Sequence, residues 1–384
     1  MKIYQAADAI ALVLSGEDFF ERLIRLIDAA RETVHVQTYI FVDDNTGRLV
    51  AEALKRAARR GVQVWVIADG YGSNELPRAF VLDLRAAGVR FRFFKHFVSI
   101  LKWQGGRTLH HKVVVVDRQS ALVGGINIAD KYRGRPDVPA WLDFAVQIEG
   151  KVCRHLHDLC SDIYRHQYWR TRFPAGWRRK KMPFLPKPPR DGLVRFRLND
   201  WLRRKTEVYQ SYVRAISSAR ESLVIVASYL LPGRTVRTRL AAAARRGVAV
   251  RMLLTGPSDV PLARWAEQYL AYWMLKKGIR VFHWEKSVMH GKTILVDGQW
   301  ASVGSYNLNP LSRFRSLELN VDIADPAFTQ YFCAYVDDLL RHRCREVTRE
   351  NLPEFSSRRH LFKAWLAYHF SVYLMQFLFP RKRK

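Results

Sequence analysis

Apolar residues recur along this chain with two periods. Over residues 17–31, 47–60 and 76–87 they fall three and four apart, the spacing of a helix with one buried face. Between these segments, 33–42, 62–68 and 89–94 run as short apolar or alternating stretches, and 110–117 and 120–124 follow as two more strands. Runs such as VWVI and VVVV suit strands covered on both faces. The opening MKIYQAADAIALVLSGEDFF has an apolar run broken by Asp8 and reads as a first strand, in preference to a leader peptide. Helices and strands in alternation predict a layered α/β architecture.

The pattern is then written a second time. AARRGVQVWVIADG at 57–70 returns as AARRGVAVRMLLTG at 243–256, and QTYIFVDD around Tyr39 has its counterpart in ASYLLPG around Tyr229. AAGVRFRFFKH matches KKGIRVFHWEK, HHKVVVVD matches HGKTILVD, and VGGIN at 123–127 matches VGSYN at 303–307. The order is kept, at offsets of 180 to 190 residues. An ordered internal repeat of this length predicts two pseudo-symmetric lobes, each a mixed β-sheet flanked by helices, sharing one active site about a pseudo-two-fold axis. The expected division is a first lobe at 1–164, a linker at 165–195, a second lobe at 196–350 and a C-terminal segment at 351–384.

Composition narrows the partner. The 384 residues carry 64 Lys and Arg against 35 Asp and Glu, a formal charge of +29. Such an excess points to a polyanion, either nucleic acid or an anionic membrane. Residues 165–190 concentrate it, with nine Lys or Arg, five Pro, five aromatics and no acid. A spacer has no need of large rings, so Trp169, Phe173 and Trp177, with Arg178, Arg179, Lys180 and Lys181, are expected to face a membrane surface. The C-terminal apolar stretch at 364–379 is 16 residues long, short of the roughly 20 that a spanning helix needs. An interfacial helix using Trp365, Phe370 and Phe377, followed by the basic RKRK, is the expectation. Cys153, His157 and Cys160 would share a helix face, but zinc sites usually draw ligands from a turn or from two elements, so no metal is expected.

Each half contains His-x-Lys, four residues, and Asp: His110, Lys112 and Asp117, then His290, Lys292 and Asp297. On a strand, His110 and Lys112 share a face roughly 6.6 Å apart, at ~3.3 Å per residue, while His111 points the other way. Asp117 is roughly 23 Å along the strand from His110 and cannot orient that imidazole, which gives both motif aspartates mainly structural roles at the strand end. The carboxylates that orient the imidazoles must come from elsewhere, and Asp143 and Glu318, at matching places in the repeat, are the candidates. A carboxylate on one ring nitrogen fixes the tautomer and leaves the other nitrogen free to attack. Asn127 and Asn307 stand behind Gly-Gly and Gly-Ser turns whose small residues let backbone approach a ligand.

Two complete copies of this motif, each followed by Gly-[Gly/Ser]-x-Asn, resemble the phospholipase D superfamily from about residue 12 to 350. Within it the chain is most similar to bacterial cardiolipin synthases of the shorter B type, on DGYGS, GGINIAD, WLDFAVQIEG, RGVAVRMLLTGPSD, HGKTILVDGQWASVGSYNLNPLS and LELNVDI. The resemblance implies that one motif histidine attacks phosphorus to form a phosphohistidine while the other protonates the leaving alcohol. Family analogy puts the nucleophile on His110 and the acid/base on His290, counts Asp117 and Asp297 with the catalytic motif, and leaves Lys112, Lys292, Asn127, Asn307 and Ser305 to hold phosphoryl oxygens without a metal or cofactor. The implied reaction transfers a phosphatidyl group from phosphatidylglycerol, or phosphatidylethanolamine, to phosphatidylglycerol. Hydrolysis by the same chemistry, or a nuclease of the same superfamily, are the alternatives. Expected partners are anionic phospholipids, cardiolipin included, and not nucleic acid, with a homo-oligomer left open. The expected place is the cytoplasmic face of a bacterial inner membrane, peripheral or monotopic.

Overall fold

The computed structural model describes residues 3–94, 108–166, 192–200, 203, 205–256, 261–350 and 358–377. The first half gives β1 (Gln5–Ala6), β2 (Ala9–Leu14), α1 (Glu17–Ala29), β3 (Thr33–Thr38), α2 (Asn45–Arg59), β4 (Gln63–Asp69), α3 (Arg78–Ala86) and β5 (Arg90–Phe94). It continues with β6 (Thr108–Leu109), β7 (Lys112–Val116), β8 (Ser120–Gly124), α4 (Asp130–Arg133), β9 (Phe144–Glu149) and α5 (Cys153–His166). The second half opens with β10 (Leu193–Asp200), β11 (Lys205–Thr206), α6 (Glu207–Ser218), β12 (Ser222–Ala227), α7 (Arg234–Arg245), β13 (Ala249–Thr255) and α8 (Pro261–Lys276). Then come β14 (Arg280–Trp284), β15 (Lys292–Val296), β16 (Trp300–Gly304), α9 (Pro310–Phe314), β17 (Ser316–Ala324), α10 (Pro326–His342), β18 (Cys344–Val347) and α11 (Arg358–Phe377). Strand β10 starts inside the segment expected to be linker, because Leu193–Arg195 alternate as its neighbour β17 requires. Trp169, Phe173, Trp177 and Arg178–Lys181 lie outside the described residues.

The repeat becomes two mixed sheets. One runs β2-β9-β8-β7-β3-β4-β5, and the other contains β10-β17-β16-β15-β12-β13-β14 in the equivalent order. Parallel pairs β3–β4–β5 and β12–β13–β14 are joined by α2, α3, α7 and α8, while the motif strands β7 and β15 pair antiparallel to β3 and β12. Side chains along β7 alternate as the pleat dictates. Val113 and Val115 enter a central core that spans both lobes with α5 and α10, whereas Val114 and Val116 pack beneath α1 and α2. The sheets are also stitched together. β1 adds to β10, and β6 pairs in parallel with Ser316–Leu317 of β17, so the first half extends the second half's sheet.

Both motif aspartates close hairpins. Asp117 and Arg118 have φ of 50° and 58°, and Asp297 and Gly298 have 52° and 62°, left-handed pairs that suit two-residue turns. The Asp117 carboxylate accepts from the backbone N–H groups of Arg31, Glu32 and Thr33, each at 2.8 Å. Asp297 does the same for Arg220, Glu221 and Ser222. Each therefore ties its turn to the start of the adjacent strand. Asp297→Ala removes the acceptor for three donors and the residue suited to positive φ. Because hydrogen bonds to charged groups are worth about 1.5–3 kcal/mol and these are partly exposed, urea unfolding is expected to show a loss of about 2 kcal/mol, with Asp297→Asn losing less.

Candidate active site

The backbone brings the two histidines in by one device used twice. The N–H of His110 donates to the carbonyl of Leu317 at 3.0 Å, and the N–H of His290 donates to the carbonyl of Leu142 at 2.7 Å. The next residue after each of those carbonyls is the carboxylate that meets the ring. Nδ1 of His110 lies 2.9 Å from Oε2 of Glu318, and Nδ1 of His290 lies 2.6 Å from Oδ2 of Asp143. The pairs cross between lobes: each imidazole is oriented by the other half. His111 points away, its Nε2 2.7 Å from Gln37.

Between the imidazoles stand two buried ammonium groups. Lys112 Nζ donates to the His110 carbonyl, and Lys292 Nζ donates to the His290 carbonyl and lies 2.7 Å from His290 Nδ1. Burial first, then the Lys292 charge, pull the Lys112 ammonium down to about 7. Burial holds His110 below the ordinary imidazole range against the opposing pull of Glu318. His290 is held well below it, by burial and then by Lys292, Lys112 and the neighbouring His110. Burial pushes the Asp143 carboxyl up to about 6, opposed by Lys292. The site therefore holds neutral imidazoles among two lysines and two carboxylates, and an incoming phosphodiester anion favours the charged form of the lysines.

Around this centre are rings that the repeat aligned without giving them a role. Tyr39 lies 4.9 Å from the His110 ring with Lys112 Nζ 5.3 Å from its own, and Tyr229, in the left-handed region at φ 48°, lies 6.2 Å from His290. Tyr132 and Trp141 pack on His290 at 5.3 and 5.8 Å. The recurrence of Tyr39 as Tyr229 was the available signal. Asp69, fully buried, accepts from the N–H of Leu109 at 2.8 Å and so holds the strand that delivers His110.

The small residues of the turns serve the carboxylates, which corrects their expected part in ligand approach. A Cβ on Gly125 would fall 2.4 Å from the Asp143 carboxylate. Ser305 takes the equivalent place, and its hydroxyl donates to Glu318 at 2.5 Å while accepting from the N–H of Leu319. Asn127 accepts from the N–H of Ile40 and donates to the hydroxyl of Tyr132, and the Asn307 carbonyl accepts from Ser228. Asp117 and Asp297 are committed to backbone at the far ends of β7 and β15.

A family model described as "Cardiolipin synthase, PLD-like domain" matches residues 23–134 and 212–340. The cardiolipin synthase B of Escherichia coli K12 is 31% identical over 374 residues, covering 96% of this chain and 88% of that protein. The chain belongs to this family. The cardiolipin synthase A of Pseudomonas syringae pv. syringae is 31% identical over 341 residues, 87% of this chain and 68% of the relative. Among solved structures, a phosphatidylserine synthase from Haemophilus influenzae superposes with a TM-score of 0.74 at 15% identity, over 98% of this chain and 96% of that one. At that identity the likeness is one of fold. The phospholipase D-like fold is thus shared along nearly the whole length.

Two buried like charges next to each other should weaken the fold of this family member. Lys112→Met is expected to raise unfolding free energy by about 1–3 kcal/mol at pH 6 while abolishing turnover. A group whose folded pKa is lowered costs stability fully below that pKa, and the cost fades as pH rises toward the unfolded value. The gain in the variant should therefore shrink between pH 7 and 10, which denaturant titrations across that range would show.

Proposed function

We propose that this chain forms cardiolipin by transferring a phosphatidyl group from one phosphatidylglycerol to another and releasing glycerol. The observation that carries this is the pair of carboxylate-oriented imidazoles, one from each lobe, flanked by two buried lysines. His110 has Nδ1 engaged by the acceptor Glu318, which leaves the Nε2 lone pair for attack on phosphorus. His290 has a different environment, since Nδ1 is shared between Asp143 and the donor Lys292. With Nδ1–H donated to Asp143, the imidazolium that a bound phosphodiester favours carries its second proton on Nε2, where a leaving alkoxide can receive it.

In the first step His110 Nε2 forms the bond to phosphorus as the bond to the glycerol oxygen breaks, and His290 protonates that oxygen. In the second, a hydroxyl of the acceptor phosphatidylglycerol gives its proton to His290. Its oxygen then bonds phosphorus and expels the His110 nitrogen. Lys112 and Lys292 offset the charge on the phosphoryl oxygens at both steps, with the amide groups of Asn127 and Asn307 beside them. Water reaching the same phosphohistidine would give phosphatidic acid, the hydrolytic outcome.

The chain is placed on the surface of an anionic membrane. Among the described residues no helix is long and apolar enough to cross a bilayer. Helix α11 packs Ala364, Tyr368 and Ser371 inward and leaves Phe362, Trp365, Leu366, Phe370 and Tyr373 exposed in one stripe. Such a face suits the interfacial zone. Phe377 ends the helix, and its side chain is outside the described residues.

Incubation with phosphatidylglycerol vesicles followed by lipid mass spectrometry is expected to show cardiolipin and glycerol in equal amounts, and phosphatidic acid as the main product would favour the hydrolase. Glu318→Gln should lower kcat about 10²–10⁴-fold, the range of a general acid–base contribution. Protein denatured in detergent at neutral pH, where the N–P bond survives, should carry radiolabelled phosphatidyl group on residue 110, and label retained in His110→Ala would reverse the histidine roles.

A further inference from the structure

Outside the histidine pair, a cavity of about 680 Å³ lies under α11 in the second lobe, between α7, α8 and α9. That volume is within the roughly 300–1,000 Å³ of small-molecule sites. Its wall carries five cations, Arg234, Arg237, Arg245, Lys277 and Arg313, and no Asp or Glu among the described residues. Arg234, Arg245 and Lys277 stand exposed at its rim, and Arg237 and Arg313 are half-buried.

Two of these arginines are held by rings in place of carboxylates. The Arg313 guanidinium lies 3.7 Å from the Tyr209 ring and 4.8 Å from Phe314, and its Nε is buried with no hydrogen-bond partner among the described residues. Arg237 lies 4.8 Å from Trp273 and 5.5 Å from Tyr368, and donates to the Tyr368 hydroxyl at 3.1 Å. A guanidinium stacked on a ring keeps its N–H edge in plane and free for bidentate contact with a phosphate. The first turn of α7 adds to the field, since it has no acidic residue and Gly233 stands where a capping side chain would be. Tyr368, His369 and Val372 of α11 close the cavity, and the exposed stripe of Trp365, Phe370 and Tyr373 begins on the adjoining face of the same helix.

We propose that this cavity binds the phosphodiester headgroup of an anionic phospholipid, whose acyl chains leave along α11 toward the bilayer. It is a second lipid site, separate from the one where bonds are exchanged. The stacked arginines recognise the phosphate, and Trp273, Tyr209 and Leu308 cover the glycerol and the first methylenes. The proposal rests on the lipid reading above, to which it adds an anchor that makes and breaks no bonds. Such a site would hold the lobe on anionic membrane while substrate lipids exchange at the histidines.

The test uses the full chain carrying His110→Ala, so that no turnover occurs, and counts dioctanoyl phosphatidylglycerol bound by native mass spectrometry and calorimetry. One lipid beyond those held at the histidines is expected, and Arg237→Gln with Arg313→Gln should remove one bound lipid or weaken it at least tenfold. Because those residues are partly buried, Arg234→Glu with Lys277→Glu at the exposed rim provides a second variant that keeps the core intact, expected to weaken the same site about fivefold or more. An undiminished number and affinity of bound lipids in both variants would overturn the proposal. Dioctanoyl phosphatidylcholine binding as tightly would overturn the role of charge, and glycerol 3-phosphate binding as tightly would overturn the lipid in favour of a free phosphate ester. Cardiolipin formation with lipid binding indifferent to the arginines sinks the cavity alone. Loss of the second site in a chain that makes no cardiolipin sinks the transfer reading alone.

Discussion

The structure depends on a reciprocal exchange: each imidazole is aligned by a carboxylate that belongs to the opposite lobe. Backbone and side chain do this together. The N–H of His110 is pinned to Leu317 and its ring to Glu318, while the N–H of His290 is pinned to Leu142 and its ring to Asp143. Neither lobe can shift against the other without loosening both rings, so the packing of the two sheets and the alignment of the reacting nitrogens become one constraint. The shared central core and the strand that the first half lends to β17 keep that constraint rigid.

The centre is costly to fold. It gathers two lysines, two imidazoles and two carboxylates in a largely dry space, and the lysines oppose each other. What makes the arrangement worthwhile is a ligand that carries negative charge into it. A phosphodiester beside the ammonium groups favours their charged form and the protonation of an imidazole.

Much of this was legible before any coordinates. The lobes could be read because an ordered repeat survives local drift, and the strands because their apolar runs have lengths and neighbours that suit buried strands. His110, Lys112, His290 and Lys292 could be read because the motif is repeated, although the strands begin only at Lys112 and Lys292 and each histidine stands two residues ahead of its strand. Asp117 and Asp297 were separable from the imidazoles by distance along the strand alone. The crossing was not legible. Asp143 and Glu318 occupy matching positions, so spacing cannot tell whether each serves its own half or the other, and only the pairing of β6 with β17 decides it. The bond from Ser305 to Glu318 was hidden for a related reason: a hydroxyl in a Gly-Ser turn next to a motif can face a ligand or a neighbouring strand, and spacing does not reveal that β17 is in reach. The cavity under α11 left no pattern because its cations come from three separated segments.

Reciprocity also bears on how such a chain could arise. A half-length ancestor docking on a copy of itself would already assemble the full set of groups, since each copy supplies what its mate lacks. Joining the two copies end to end removes the need to find a mate and frees the halves to drift apart. The drift is visible in Gly125 against Ser305 and in Asp143 against Glu318, two solutions to holding one ring. Covalent linkage thereby turned a symmetric assembly into one in which a nucleophile and a proton donor can be different residues.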